Sequence, residues 1–172
     1  LGDVYKRQIL SCAKHFIAYG AAQAGRDYHT VDISERELRD TYLPPFKAAI
    51  NAGTATVMSA FNEYDGVPCT ANSFLMRDLL RKELGFKGFV VSDYTAVKEL
   101  IAHGIADNDK EAACLGINAG VNMCMVDNLY LFHGEKLVKE GAVSEETVNE
   151  LCAQILTMKY KLGLFDNPYR YG

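Results

Sequence analysis

The chain has 172 residues, 49% hydrophobic and 23% charged, with a formal net charge of −4. That composition suits one globular domain with a sizeable core, and without a basic run it offers nucleic acid or an anionic membrane surface nothing to grip. No apolar stretch approaches the roughly 20 residues needed to span a bilayer.

The opening octapeptide, Leu1 to Gln8, has neither an initiator Met nor the pattern of a signal peptide. It reads as a truncated or non-native leader, with the folded unit expected over residues 9–169. Ile9 to Phe16 is the first strand-like run and Thr54 to Ala60 the second. Gly88 to Ser92 is the third and Val121 to Met125 the fourth. Short apolar runs bounded by glycine or polar residues suit buried parallel strands. Between the first two, Ser34-Glu35-Arg36-Glu37 matches a capping box and opens a helix. Pro44-Pro45 is expected to interrupt it; a second piece, Phe46 to Asn51, should stop at Gly53. Ser73 to Leu84 repeats its leucines at helical spacing and ends at Gly85. Shorter helical candidates follow at Lys98 to His103, Asp109 to Asn118 and Leu131 to Glu140. Ser144 opens the last helix, with Val148, Leu151, Ile155, Leu156 and Met158 spaced for a buried face and Gly163 closing it.

Strands alternating with helices at these separations imply βα units and a parallel sheet. Four units make half of a (β/α)8 barrel, which takes about 250 residues when whole. The fold class is therefore α/β, as the C-terminal half of a TIM-like barrel with open edges at the first and last strands. Five cysteines (Cys12, Cys69, Cys114, Cys124, Cys152) form no C-x-x-C pair, so neither a zinc site nor a disulfide framework is indicated. Four of them sit among apolar residues and read as buried thiols. This leans towards a reducing compartment, the cytoplasm, with the periplasm or secretion as alternatives.

In such barrels the chemistry gathers at the carboxyl ends of the strands. Lys14 and His15 end the first run, Met58 lies in the second, Asp93 and Tyr94 end the third, and Asp127 follows the fourth. A carboxylate placed like Asp93 can attack an anomeric carbon; it can equally cap a helix. Lys14 and His15 can donate to adjacent sugar hydroxyls. Lys14 can also be a snorkelling side chain or a Schiff-base lysine, and Met58 a core gap-filler.

Several ordered motifs narrow these alternatives. Cys12-Ala13-Lys14-His15-Phe16, Gly25-Arg26-Asp27-Tyr28 with Thr30-Val31-Asp32, and Met58-Ser59-Ala60-Phe61-Asn62 with Asp65-Gly66-Val67-Pro68 stand in order. Leu84-Gly85-Phe86-Lys87-Gly88-Phe89-Val90-Val91-Ser92-Asp93, Asn118-Ala119-Gly120-Val121 and Lys161-Leu162-Gly163-Leu164-Phe165-Asp166 follow. From about Ile9 to Tyr169 the chain resembles the N-terminal barrel domain of glycoside hydrolase family 3, in its two-domain β-glucosidase branch.

That resemblance implies a retaining β-glycosidase acting on a β-linked oligosaccharide or aryl β-glycoside, with no cofactor and no metal. It places the nucleophile on Asp93, sugar binding on Lys14, His15 and Met58, further substrate contact on Tyr94, and rim contact on Arg26. It also implies that the acid/base carboxyl comes from a following α/β sandwich domain, and the rest of the barrel from further strands, so these residues alone are expected to be inactive. Tyr94 stands where relatives commonly carry Trp or His, Phe61 where many carry Tyr, and Asn122 where Asp is frequent. Two alternatives stay open: a β-N-acetylglucosaminidase-type hydrolase using His29, from Asp27-Tyr28-His29, as its acid/base, and a non-catalytic sugar-binding remnant.

Overall fold

The computed structural model describes residues 9–169; the leader expected over Leu1 to Gln8 lies outside them. The strands in chain order are β1 (Cys12–Phe16), β2 (Thr30–Val31), β3 (Thr56–Ser59), β4 (Glu63–Tyr64), β5 (Val67–Pro68), β6 (Phe89–Tyr94) and β7 (Met123–Met125). The four expected strands are β1, β3, β6 and β7, and they pair side by side in that order, all parallel. Neighbours that follow one another by right-handed crossovers place every connecting helix on one face of the sheet. A doubly wound sheet would instead reverse its order. The arrangement is therefore four consecutive βα units of a (β/α)8 barrel, with one face covered by helices and the other belonging to the barrel interior.

The helix-covered face carries the core. Phe16, Val57, Val90 and Val121 are fully buried there against Leu38, Leu75, Met76, Leu79 and Leu80. The first helix, α1 (residues 35–51), opens as expected: the Ser34 hydroxyl accepts the Glu37 N–H at 3.1 Å. The expected break at Pro44-Pro45 is absent. Leu38–Tyr42 winds with π-type bonds, the Leu43 N–H donates to the Leu38 carbonyl, and the prolines fall in the first turn of the next helical stretch, Leu43–Asn51. Proline has no N–H to contribute in that first turn, so the widened turn carries the chain past both rings without a kink.

Beyond it lie α2 (Phe74–Glu83), α3 (Asp109–Ala119), α4 (Leu129–Lys139) and α5 (Glu145–Lys161). Asn72 starts α2, accepting the Leu75 N–H at 3.1 Å, and Ser144 starts α5, accepting the Thr147 N–H at 3.0 Å. The face expected along α5 is only partly buried: Leu151 and Met158 are covered, whereas Val148 is 37% and Leu156 44% exposed. The expectation of four buried thiols is likewise corrected, since Cys69 alone is buried and Cys12 and Cys152 are exposed. Cys12 lies on β1, the edge strand of the sheet, so its apolar sequence context has no neighbouring strand to pack on.

The small sheet, with β2 parallel to β4 and β4 antiparallel to β5, was not among the expected strands. Its hairpin turns at Asp65-Gly66, both with positive φ, the conformation a two-residue turn requires. A second local constraint sits at Gly88, just before β6. A Cβ there would lie 1.9 Å from the Ala55 carbonyl oxygen and 2.6 Å from the Phe86 ring. Gly88→Ala should therefore destabilise the protein by about 1–3 kcal/mol. Gly134→Ala, in mid-helix with nothing within 4 Å of the added carbon, should stabilise it by about 0.5–1 kcal/mol. Denaturant midpoints of the two variants would check both signs.

Candidate active site

Strand register selects the residues of the site. Ala13 pairs with Val57 and Val57 with Val90, while Met58 pairs with Val91. Alternation along each strand then puts Lys14, Met58, Val91 and Asp93 on the barrel-interior face, opposite the buried Val57 and Val90. The register of β1 shifts between Ala13 and Phe16, and this brings His15 to the same end. The structure thus gathers the strand-end residues Lys14, His15, Met58 and Asp93 around one rim.

Asp93 is 9% exposed. Its Oδ1 accepts the Tyr94 N–H at 2.7 Å, and its Oδ2 lies 3.4 Å from His15 Nε2. It caps no helix: the next helical turn begins only at Lys98, and the carboxylate takes an N–H one residue on rather than two or three. Beneath it, Ser92 is fully buried; its hydroxyl donates to the Asp93 carbonyl and accepts the Met125 N–H, both at 2.9 Å. The backbone carrying the carboxylate is therefore pinned to the neighbouring strand.

An aromatic wall stands beside this pair. The His15 ring lies 4.8 Å from Tyr19, Tyr19 lies 6.4 Å from Phe61, and Phe61 lies 4.4 Å from Tyr28. The Tyr19 hydroxyl donates to the Asp27 carboxylate. Burial, the Asp27 acceptor and the nearby Asp93 charge all push the Tyr19 phenol well above its ordinary value, and burial with the Glu99, Asp27 and Asp93 charges raises Tyr28. Tyr19 carried no signal in the sequence, because residues 17–29 have no hydrophobic period to read. Phe61, deprived of a hydroxyl, fills the wall as an apolar panel between two tyrosines.

The remaining expected site residues lie further out. Tyr94 is 57% exposed, with its backbone rather than its ring engaged by Asp93. Arg26 is exposed and lines a shallow pocket of about 330 Å³ with Tyr19, Gly20 and Asp27. His29 is exposed, and its ring makes no hydrogen bond among the described residues. Asp127 accepts the Leu129 N–H beside Cys124, whose thiol burial and that carboxylate push far up. Asn122, a position with no expected role, is a structural hub. It accepts the Val90 N–H and an Arg81 N–H at 2.7 and 2.9 Å and donates to the Leu151 carbonyl and Gln154 at 2.9 and 2.7 Å.

Residues 3–158 match the model of the glycosyl hydrolase family 3 N-terminal domain. The chain belongs to glycosyl hydrolase family 3. It is 42% identical over 163 residues to a periplasmic β-glucosidase of Salmonella typhimurium, covering 95% of this chain and 21% of that protein. A β-xylosidase of Formosa agariphila is 42% identical over 171 residues, covering 94% and 24%. The crystal structure of a β-glucosidase from Listeria innocua in complex with glucose superposes with a TM-score of 0.94 at 47% identity, covering 98% of this chain and 24% of that one. The family 3 chain thus spans about a fifth to a quarter of the length of these relatives.

The raised phenols make the site's behaviour at high pH testable. The folded state keeps protons on Tyr19 and Tyr28 that the unfolded chain releases from about pH 10. Their contribution to stability is therefore complete below that pH and is lost as pH rises beyond it. In denaturation at increasing alkalinity, Tyr19→Phe should show a shallower alkaline loss than the wild type.

Proposed function

We propose that this chain supplies the nucleophile, and part of the sugar-binding surface, of a retaining β-glycosidase that is β-glucosidase-like and exo-acting. The observation that carries the reading is Asp93: a carboxylate at a parallel strand's end, capping no helix, with Oδ2 turned to His15 and away from the oxygen that the Tyr94 N–H holds. In the first step Oδ2 attacks the anomeric carbon and the glycosidic C–O bond breaks. The leaving oxygen takes a proton from a general acid. In the second step water attacks the same carbon, the ester bond to Asp93 breaks, and the water's proton passes to the base form of that group.

Lys14 and His15 donate to hydroxyls of the sugar, Met58 gives it an apolar floor, Tyr94 contacts the departing portion, and Arg26 contributes at the rim. A β-linked oligosaccharide or aryl β-glycoside is the substrate class. The glucose and laminaribiose complexes of the Listeria innocua enzyme support a β-linked glucoside, and the xylosidase names support a neighbouring pentoside. The acid carboxyl, required about 5–5.5 Å from the nucleophile, is assigned to an α/β sandwich domain outside these residues, so the isolated chain is expected to be inactive. Further barrel strands are assigned to the edge of β1, where Ile9, Leu10, Ala13 and Ala49 line an open apolar groove of about 680 Å³.

The reading with His29 as acid draws no support from an exposed ring that makes no hydrogen bond among the described residues. Among the described residues no helix is long and apolar enough to cross a membrane. Five unpaired thiols support the cytoplasm; the periplasmic location named for the Salmonella relative predicts instead a signal peptide at the start of the coding sequence.

One variant tests the mechanism. In the protein made from its complete coding sequence, Asp93→Ala should lower turnover of an aryl β-glycoside by roughly a thousandfold or more with little change in melting. Azide should partly restore cleavage and give a product of inverted configuration. Near-normal turnover by the folded variant would sink the assignment.

A further inference from the structure

Away from the nucleophile, one polar cluster joins three segments of the rim. The Glu63 carboxylate accepts from Thr30 Oγ1 at 2.8 Å through Oε2 and lies 2.7 Å from His103 Nδ1 through Oε1. A carboxylate only accepts, so His103 carries its proton on Nδ1 in this bond. The His103 side chain is 11% and that of Glu63 21% exposed, so both bonds are largely shielded from water. Thr30 opens β2, Glu63 opens β4, and His103 lies ten residues beyond Asp93, in the segment leading away from β6. None of the three has a hydrogen bond or ion pair to Asp93, and the steps above do not use them.

The ladder shows what the cluster holds. Thr30 pairs with Glu63 and Val31 with Tyr64. Two residues before each partner of the first rung stand Tyr28 and Phe61, whose rings meet at 4.4 Å. Tyr28 has a φ of 65°, a left-handed conformation that a bulky side chain adopts only when its surroundings impose it. It is held by the Phe61 ring, by the Thr30–Glu63 rung, by the turn bond from the His29 N–H to the Arg26 carbonyl, and through its neighbour Asp27 by the Tyr19 hydroxyl. It is nevertheless 39% exposed, and the Asp93 charge reaches its phenol. An aromatic ring held at a fixed angle beside a sugar site, with one face open, can stack on the C–H face of a pyranose.

We propose that Glu63 is a positioning residue: through Thr30 and His103 it fixes the 26–31 loop so that Tyr28 presents a sugar-stacking wall at the edge of the Asp93 site. The role of Tyr28 rests on the glycosidase reading; the loop-holding role of Glu63 does not. Glu63 touches no reacting atom, so its loss weakens substrate binding and leaves the chemical step alone.

The test uses the protein from its complete coding sequence. Glu63→Ala should raise KM for an aryl β-glycoside about five- to tenfold and leave kcat within about twofold. Glu63→Gln, whose amide can accept from one partner and donate to the other, should stay near wild type. Tyr28→Ala should raise KM similarly, and Glu63→Ala combined with Tyr28→Ala should add nothing further, since both remove the same contact. Hydrogen exchange of the 26–31 backbone should quicken about tenfold in Glu63→Ala while β3 is unchanged. Additive KM effects, or unchanged exchange over 26–31, would overturn the proposal. Should Glu63→Ala fail to fold, Thr30→Val removes one arm and is read in the same way. A wild type that never forms a covalent adduct on Asp93 with a fluorinated aryl glycoside refutes the glycosidase reading, and the exchange measurement then still decides whether Glu63 holds the loop.

Discussion

Parallel pairing of β3 with β6 in an unbroken register is the constraint on which the rest of the molecule depends. Side chains alternate across a strand, so one register sends Val57 and Val90 into the helix layer and Met58 and Asp93 to the opposite face. A slip of one residue would bury Asp93 among leucines and turn Val90 towards the barrel interior. Neither exchange is tolerable: a carboxylate without partners is costly in an apolar core, and the core would lose a fully buried valine. The hydrophobic effect thus fixes where the carboxylate stands, with no chemistry yet involved.

Buried polar groups then hold that register. Asn122 uses both its oxygen and its amide nitrogen to tie β6 to the chain entering β7 and to α5. The same oxygen accepts from Arg81, a guanidinium whose pKa burial lowers to about 10. Such a hub gains little net free energy, because desolvation offsets most of the attraction. Its value is geometric, since leaving any one of its groups unpaired is expensive. Ser92 does the same one residue before Asp93. With that backbone pinned at two atoms, Asp93 is left only its side-chain rotation, and the Tyr94 N–H takes most of that. The aromatic wall is supported differently, by ring contacts and a strained tyrosine on a loop.

Much of this was legible from residue pattern. Four apolar runs at βα spacing gave the parallel sheet, and Ser34, Gly53, Ser144 and Gly163 marked helix ends because capping is local chemistry. The prolines misled because a local rule disfavours helix before and within them, whereas the wider turn at Leu38–Tyr42 places them in the first turn of the next stretch, where proline is tolerated. The α5 face misled for the opposite reason. Period alone says which residues share a stripe, not how far a neighbour extends to cover it. Asp65-Gly66 carried a hairpin signal, yet strands of two residues are too short to show alternation.

For the site, the sequence by itself determined the residue types at the strand ends, and with them the family. Lys14, His15, Met58 and Asp93 are adjacent to apolar runs, and adjacency along a strand is a short-range property. What only the tertiary structure decided is which separate segments meet. Asp93 meets His15 across 78 residues of chain, Tyr28 meets Phe61, and Glu63 meets both Thr30 and His103. Those encounters follow from strand register and from loop paths over the rim. Each is set by packing summed over the whole sheet, and no window of sequence contains that sum.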